Sequence, residues 1–506
     1  MRNRTNILIL VISIILFTIL FHNQALGLNV LIFEAFITGW LFFTKQFKFF
    51  GKNQIICALG LIITMLYTVF IYSDFAFIIN FLMLFMFVGS IMYPDAKSLV
   101  TTLRLSVSNL SRSQRNLIKE LTSSEHKKNK FIIYLWRFRI FIIPVLIIIL
   151  FLIFYSHSNP IFNRLLQNIG LFFNNYLSFI FNNIDAGILI TIFFGGIISI
   201  YIVYRSSDPY IIESDKSSSN FLTRIRNNYR RSFKFNALRN ELRAAIFLLF
   251  ILNAILIILN VIDIYWVWFN FEWNGLTLKQ FVHEGTYLLI LSILTSIVVV
   301  LYFFRNNLNF YSNNRLLKFL CYIWLAQNAI LAISVAIRNY WYIYYFSLAY
   351  KRIGVIIFLI LCLYGIYTVL IKVKYKKSDF WLLNSNISGL LIVLVICSVF
   401  NWDNIIAKYN FEKSKRSFVH FNFLASLSDK SLPYLDKPLA ELTMIDSLQK
   451  EKFPAEKTYY MTSGEYYQRI LERKQSFKLK WESKSILSWN LPEYLAYRKL
   501  YHSSHK

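Results

Sequence analysis

Eleven apolar stretches, each close to the length that crosses a bilayer as a helix, succeed one another through residues 1–400. They lie near 7–21, 28–43, 55–72, 75–93, 140–155, 187–204, 244–264, 285–304, 316–337, 353–371 and 380–400. In hydrocarbon the backbone must satisfy its own hydrogen bonds, and a helix does so within a single segment. The pattern therefore predicts an all-α, polytopic membrane protein with about eleven transmembrane helices. Residues 401–506 follow as a mostly helical C-terminal extramembrane tail domain. Composition agrees: 57% of residues are hydrophobic and 16% charged, with a mean hydropathy of +0.49, against about 25% charged in a soluble domain. Arg2 and Arg4 before the first run resemble a signal peptide, but Ala25-Leu26-Gly27 is a poor cleavage site, so the run is kept as a membrane helix.

The net charge of +28 would suggest nucleic acid in a soluble chain. Here it sorts by loop. With the N-terminus inside, the cytoplasmic segments hold 31 Lys and Arg and the five opposite loops hold 5. That bias sets topology, so the lipid bilayer is the expected partner and nucleic acid is not. The tail then lies outside. The expected organisation is a four-helix membrane segment (1–94) and a basic cytoplasmic loop (95–139). Two membrane helices follow (140–204), with an outer amphipathic helix at 160–184. A second basic loop (205–243), a five-helix segment (244–400) and the tail (401–506) complete it. In the second basic loop Ile225, Tyr229, Phe233 and Leu238 share one helical face among arginines, which suits either an anionic membrane surface or a solvated loop. Tail helices are expected over 432–450 and 464–481, with Ser463 as a cap. The basic loops and the tail are candidate surfaces for protein partners.

The chain is poor in catalytic signatures. The sequence "HEGTY" opens like a zinc motif, but the fourth residue after His283 is Tyr287 where a second His is needed. Cys57, Cys321, Cys362 and Cys397 lie singly in apolar runs and predict buried hydrophobes. No Gly-x-Ser-x-Gly elbow or phosphate loop occurs. No metal and no cofactor is expected.

Polar groups at membrane depth are the stronger signal, because a charge in hydrocarbon usually faces protein or a cavity. Glu34 stands about 9 Å below the outer surface, six residues into its run. Glu284, Arg338, Lys351 and Arg352 fall at the same outer level, beside His283. They define a candidate ion-paired cluster in which Glu284 faces Arg352 or Arg338. Separate snorkelling charges are the alternative. Asn253 and Asn260, seven apart on one face, and Gln327 and Asn328, mid-run, are candidates to join helices. The aromatic loops "YWVWFNFEW" (265–273) and "YWYIYYF" (340–346) frame the outer layer as an interfacial belt or a stacking surface.

The order of "FVHEGTYLL", "LKFLCYIWLAQNAILAISVAIRNYWYIYYFSLAYKRIGV", "NWDNIIAKYNF", "FNFLASLSDKSLPYL" and "WESKSILSWNLPEYLAYRKL" resembles bacterial membrane proteins of the domain of unknown function 4173 family, related to the 4153 group. The resemblance covers residues 240–506. It implies an integral membrane protein of the bacterial cytoplasmic membrane and no particular substrate.

Three functions stay open. A scaffold, sensor or regulatory partner explains the large extramembrane parts and the scarcity of catalytic residues, and leans away from an enzyme. A transporter or flippase would admit an amphiphile through the outer cluster and needs a cavity reaching Glu34 or Asn260. A membrane-embedded transferase needs an acid and a base converging on one pocket.

Overall fold

The structure, a computed structural model, describes residues 2–44, 51–123, 164–165, 168–169, 185–224, 237–271, 276–304, 307–453 and 461–502. Among these it is helical, with one isolated bridge between Phe221 and Lys377. The helices are α1 (Arg2–Phe21), α2 (Leu28–Phe43), α3 (Lys52–Phe70), α4 (Asp74–Met92), α5 (Leu99–Ser123), α6 (Ala186–Val203), α7 (Pro209–Ser217), α8 (Ala237–Asp263), α9 (Leu276–Phe303), α10 (Arg315–Phe346), α11 (Tyr350–Tyr375) and α12 (Asp379–Cys397). The tail adds α13 (Trp402–Glu412), α14 (Leu439–Lys452), α15 (Ser463–Glu482) and α16 (Leu491–Tyr501).

Among the described residues, six helices are long and apolar enough to cross a membrane: Lys52–Phe70, Asp74–Met92, Leu238–Phe269, Arg315–Phe346, Tyr350–Tyr375 and Asp379–Cys397. Thr5–Phe21, Leu28–Phe43, Gly187–Val203 and Tyr287–Phe303 are shorter apolar helices. The run at 140–155, most of the amphipathic segment 160–184 and most of the 225–238 face lie outside the described residues. The basic segment 95–139, expected as a loop, contains α5. Its buried face mixes Leu99 and Leu105 with Thr101, Thr102, Ser106, Asn109 and Ser113, and these polar positions interrupt the apolar periodicity.

The chain divides into two compact units, Met1–Lys48 with Leu105–Asp208, and Phe49–Arg104 with Pro209–Lys506. In the first, α1 packs along α6. Gly195 lets Phe17 lie against α6, since a Cβ there would stand 2.8 Å from the Phe17 ring. The α5 face is pinned by Asn109, whose amide donates to Tyr201 O at 2.9 Å and accepts from the Ser206 N–H at 2.9 Å.

The second unit is built around α10, which packs against α8, α9 and α11. Leu249, Ile293, Val300, Cys321, Leu325, Val335, Val369 and Val373 form its apolar interior. A line of polar contacts joins α8 to α10. Asn253 Nδ2 donates to Leu320 O at 3.1 Å, and Gln327 Nε2 to Asn253 Oδ1 at 2.6 Å. Asn260 Nδ2 donates to Gln327 O at 3.2 Å. Beyond Asp263 the helix widens into a π-helical turn, Ile264–Phe269. There Trp268 Nε1 donates to Ser334 Oγ at 2.9 Å, and Trp341 Nε1 to Val267 O at 3.1 Å. Sequence separations of 67, 67, 66, 74 and 74 residues recur along this line. A constant offset means that α8 and α10 run parallel. The seven-residue spacing of Asn253, Asn260 and Val267 keeps one seam facing its partner, as in a coiled coil.

The tail packs its own core, with Ile406, Phe411, Leu424, Leu432, Leu435, Leu442, Tyr466 and Ile470. Ile353 of α11 belongs to the same cluster, so this core continues into the start of a membrane helix. The cap of α15 is Thr462, one residue before the expected Ser463. Thr462 N donates to Glu465 Oε2 at 2.9 Å, and Glu465 N to Thr462 Oγ1 at 3.3 Å, a reciprocal capping box. Tail helix is also more extensive than expected, because α13 and α16 flank the two anticipated stretches.

Two outcomes follow. In a double-mutant cycle of Asn253→Ala and Gln327→Ala, read by unfolding in mixed micelles, the coupling should be about 0.6–1.7 kcal/mol, as for interhelical hydrogen bonds in membranes. Tyr466 is buried and donates to Leu435 O at 3.0 Å, and burial pushes its phenol well above the ordinary value. The folded tail therefore keeps this proton at a pH where the unfolded phenol, near 10, has lost it. Tyr466 stabilises fully below about pH 10 and progressively less above it. Limited proteolysis should show tail resistance falling above that pH, and Tyr466→Phe should flatten the dependence.

Candidate functional site at the tail-facing end

The ends of α3, α10 and α12 and the starts of α4 and α11 meet the tail. A helix end leaves carbonyls without intrahelical partners, and two buried cations serve that need here. Lys430, 4% exposed, donates from Nζ to Tyr72 O at 2.7 Å and Ile71 O at 3.5 Å, just past the end of α3. Arg352, 8% exposed, donates from Nη1 to Phe346 O at 2.5 Å and also to Ser347 O, at the end of α10. Its guanidinium lies 4.3 Å over the Tyr342 ring. Positive charge at a helix C-terminus also meets the negative end of the dipole.

Lys430 is paired with Asp403 at 3.4 Å. Asp403 stands in the first turn of α13 and accepts from the Tyr350 and Ser428 hydroxyls. Burial holds the Lys430 ammonium below its usual range, and Asp403 partly offsets this. The α10–α11 turn is fastened in the same way. Ser347 adopts φ 68°, a left-handed conformation that costs a non-glycine residue about 1–3 kcal/mol. Tail contacts hold it there: Ser347 Oγ donates to Phe418 O at 2.9 Å, and Leu348 N to Asn410 Oδ1 at 2.8 Å.

Two cavities flank the first turns of α11. One, of about 450 Å³, is lined by Tyr287, Asn339, Tyr342, Lys351, Arg352 and His420, among others. The other, of about 490 Å³, is lined by Asp74, Asp403, Lys430 and Glu493, by Tyr72, Phe75 and Trp402, and by Ile353, Gly354 and Ile357. Tyr350 lines both. Their sizes suit a small ligand or a lipid headgroup.

The expected cluster is distributed differently. Lys351 and Arg352 share the first cavity. Arg338 pairs with Asp263, both buried. The side chains of His283 and Glu284 lie outside the described residues. Glu34 is 4% exposed on α2, in the first unit. Asn253, Asn260 and Gln327 form the α8–α10 seam, while Asn328 donates to Trp324 O of its own helix at 2.8 Å. Asp263, Asp403 and Lys430 were missed. Asp263 carried a signal, since it lies ten residues after Asn253 on the same α8 face. Asp403 and Lys430 are single polar residues 27 apart in sequence, and only the tail fold joins them.

The quoted motifs nonetheless converge here. "NWDNIIAKYNF" supplies Asp403, "FNFLASLSDKSLPYL" supplies Ser428 and Lys430, and "WESKSILSWNLPEYLAYRKL" supplies Lys484 and Glu493, which form an ion pair. A family model described as Domain of unknown function (DUF4153) matches residues 7–437. The chain belongs to this family. The match runs through the N-terminal half and all the segments that carried the resemblance except the last, and it stops short of α14–α16. No curated protein and no solved structure matches the chain.

Breaking the buried ion pair has a clear expected result. Arg338→Met strands the Asp263 carboxylate and should cost about 3–5 kcal/mol. Arg338→Met combined with Asp263→Leu should recover most of that loss, read as thermal stability in detergent.

Proposed function

We propose that this DUF4153 protein is a multi-pass protein of the bacterial cytoplasmic membrane. It spans eleven times, with its N-terminus inside and residues 401–506 outside. It acts there as a sensor or regulatory partner that binds an amphiphile at the tail-facing mouth and signals through the tail. The observation that carries this reading is the pair of cavities sharing Tyr350, placed where tail side chains meet membrane helix ends. A ligand there touches α4, α11 and the tail at once, so its binding free energy bears on how the tail is held. The candidate interaction of Glu284 with Arg352 belongs to the same mouth. Tyr287, three residues after Glu284 on α9, lines the Arg352 cavity.

The Asp403–Lys430 pair is better suited to fastening than to catalysis. Lys430 donates to two helix-end carbonyls as well as to Asp403, and Asp403 accepts two hydroxyl hydrogen bonds besides. A transferase is the second reading, because an acid and a base do meet within 3.4 Å beside a cavity. Asp403→Asn separates the two. A clasp loosens the tail, whereas a catalytic acid loses turnover on an intact tail.

Topology is checked with an impermeant maleimide on spheroplasts, against four buried native cysteines. Ser483→Cys in the tail should react, and Ser312→Cys between α9 and α10 should not. The sensor role is checked by proteolysis of the tail in detergent, with and without native lipid extract. Native lipid should change the cleavage rate several-fold, and an unchanged rate would sink the role.

A further inference from the structure

The two cavities differ in charge. The described residues lining the first include Lys351, Arg352 and His420 and no carboxylate. The second is lined by Asp74, Asp403 and Glu493 against Lys430 alone. Most of that negative charge is already matched, Asp403 by Lys430 and Glu493 by Lys484. Asp74, in the first turn of α4, makes no direct ion pair with a described residue and feels the Lys430 charge only at longer range, which leaves its carboxylate on the cavity wall.

Aromatic side chains line the same cavity: Tyr72, Phe75, Tyr350 and Trp402. Carboxylate together with aromatic faces is the environment that favours an ammonium group over an anion or a neutral head. The wall also has an apolar part, through Ile353, Gly354 and Ile357 over the first turns of α11 and Cys397 at the end of α12. Those helices are apolar enough to cross a membrane, so the apolar wall leads from the polar mouth toward hydrocarbon. Gly354 is the gap in that wall. A Cβ placed there meets no heavy atom within 4 Å.

We propose that the Gly354-side cavity binds an amphiphile with an ammonium headgroup. The ammonium sits at Asp74 among the aromatic rings, and the chain lies along Ile353, Gly354 and Ile357. This rests on the ligand-binding reading above and names the chemistry of its ligand. Two sources share that chemistry, a membrane lipid with an ethanolamine head and a soluble amine.

The test uses the full chain in nanodiscs of phosphatidylethanolamine or phosphatidylglycerol, with retained lipid measured by native mass spectrometry and thermal stability measured alongside. The wild type should retain phosphatidylethanolamine about tenfold over phosphatidylglycerol and melt higher with it. Asp74→Asn should reduce that preference to near unity. Gly354→Leu should fill the cavity and abolish retention. Its melting temperature in phosphatidylglycerol should not fall, because replacing a helical glycine that has open space around it favours the helix. If glycerophosphoethanolamine, which has no chain, stabilises the detergent-solubilised protein as strongly as the lipid does, the site takes a soluble amine and the proposed chain path is wrong. Equal retention of both lipids by the wild type, with Gly354→Leu reducing both, would overturn the ammonium assignment and leave the binding mouth standing. Retention unaffected by Gly354→Leu would overturn both.

Discussion

The parallel pairing of α8 with α10 is the constraint on which the larger unit depends. Apolar side chains cannot drive two helices together in hydrocarbon, because lipid tails are as apolar as leucine. Hydrogen bonds between the helices supply direction and register instead. The Asn253–Gln327–Asn260 contacts, the two tryptophan N–H donors and the Arg338–Asp263 pair all lie on one seam. Shifting either helix by one residue along this seam would strand several buried polar groups at once. With α8 and α10 parallel, α9 runs back against α10, and α11 packs against α10 and α9. The π-helical turn at Ile264–Phe269 carries the seam past Asp263 to the tryptophans.

At the tail-facing end the problem changes from register to exposed carbonyls. The ends of α3 and α10 are met by Lys430 and Arg352. Lys372 repeats the device at the far end of α11, where it donates to Lys377 O at 3.2 Å and pairs with Asp379 at 2.6 Å. Lys430 comes from the tail, so satisfying a membrane helix end also docks the tail, and Ile353 extends the tail core into α11. The cavities are what remains between helix ends and tail once these contacts are made. Their opposite charge follows from which helix end supplies each wall, cations at the start of α11 and acids at the start of α4 and in the tail.

Much of this was legible in residue order. The apolar runs appear as helices wherever they are described, because hydrophobic length is a local property that needs no partner to be recognised. Asn253 and Asn260 were legible as one face, since a seven-residue spacing is also local. The pairing of Arg338 was not. Asp263 stands 75 residues away in sequence, and only the packing of α8 against α10 brings the two together. The α5 helix was hidden because Ser, Thr and Asn share its buried face with Leu99 and Leu105, and a half-polar face among basic residues resembles a solvated loop. Asp403 and Lys430 were hidden because each is an ordinary charge in a tail rich in charge.

By itself, then, the sequence determined the membrane class, the helical content, the positions of the runs and the polar residues with a reason to be buried. These follow from free energies of transfer that each segment meets alone. The tertiary structure decided which charges pair, where helix ends find their caps, and that the tail and α11 share one core. Those outcomes depend on which surfaces come together across long separations in the chain, and no local pattern encodes the choice. The cavity beside Gly354 belongs to this second group. A glycine in a membrane helix has many explanations, and only the empty space around it, ringed by Asp74 and four aromatic residues, gives it one.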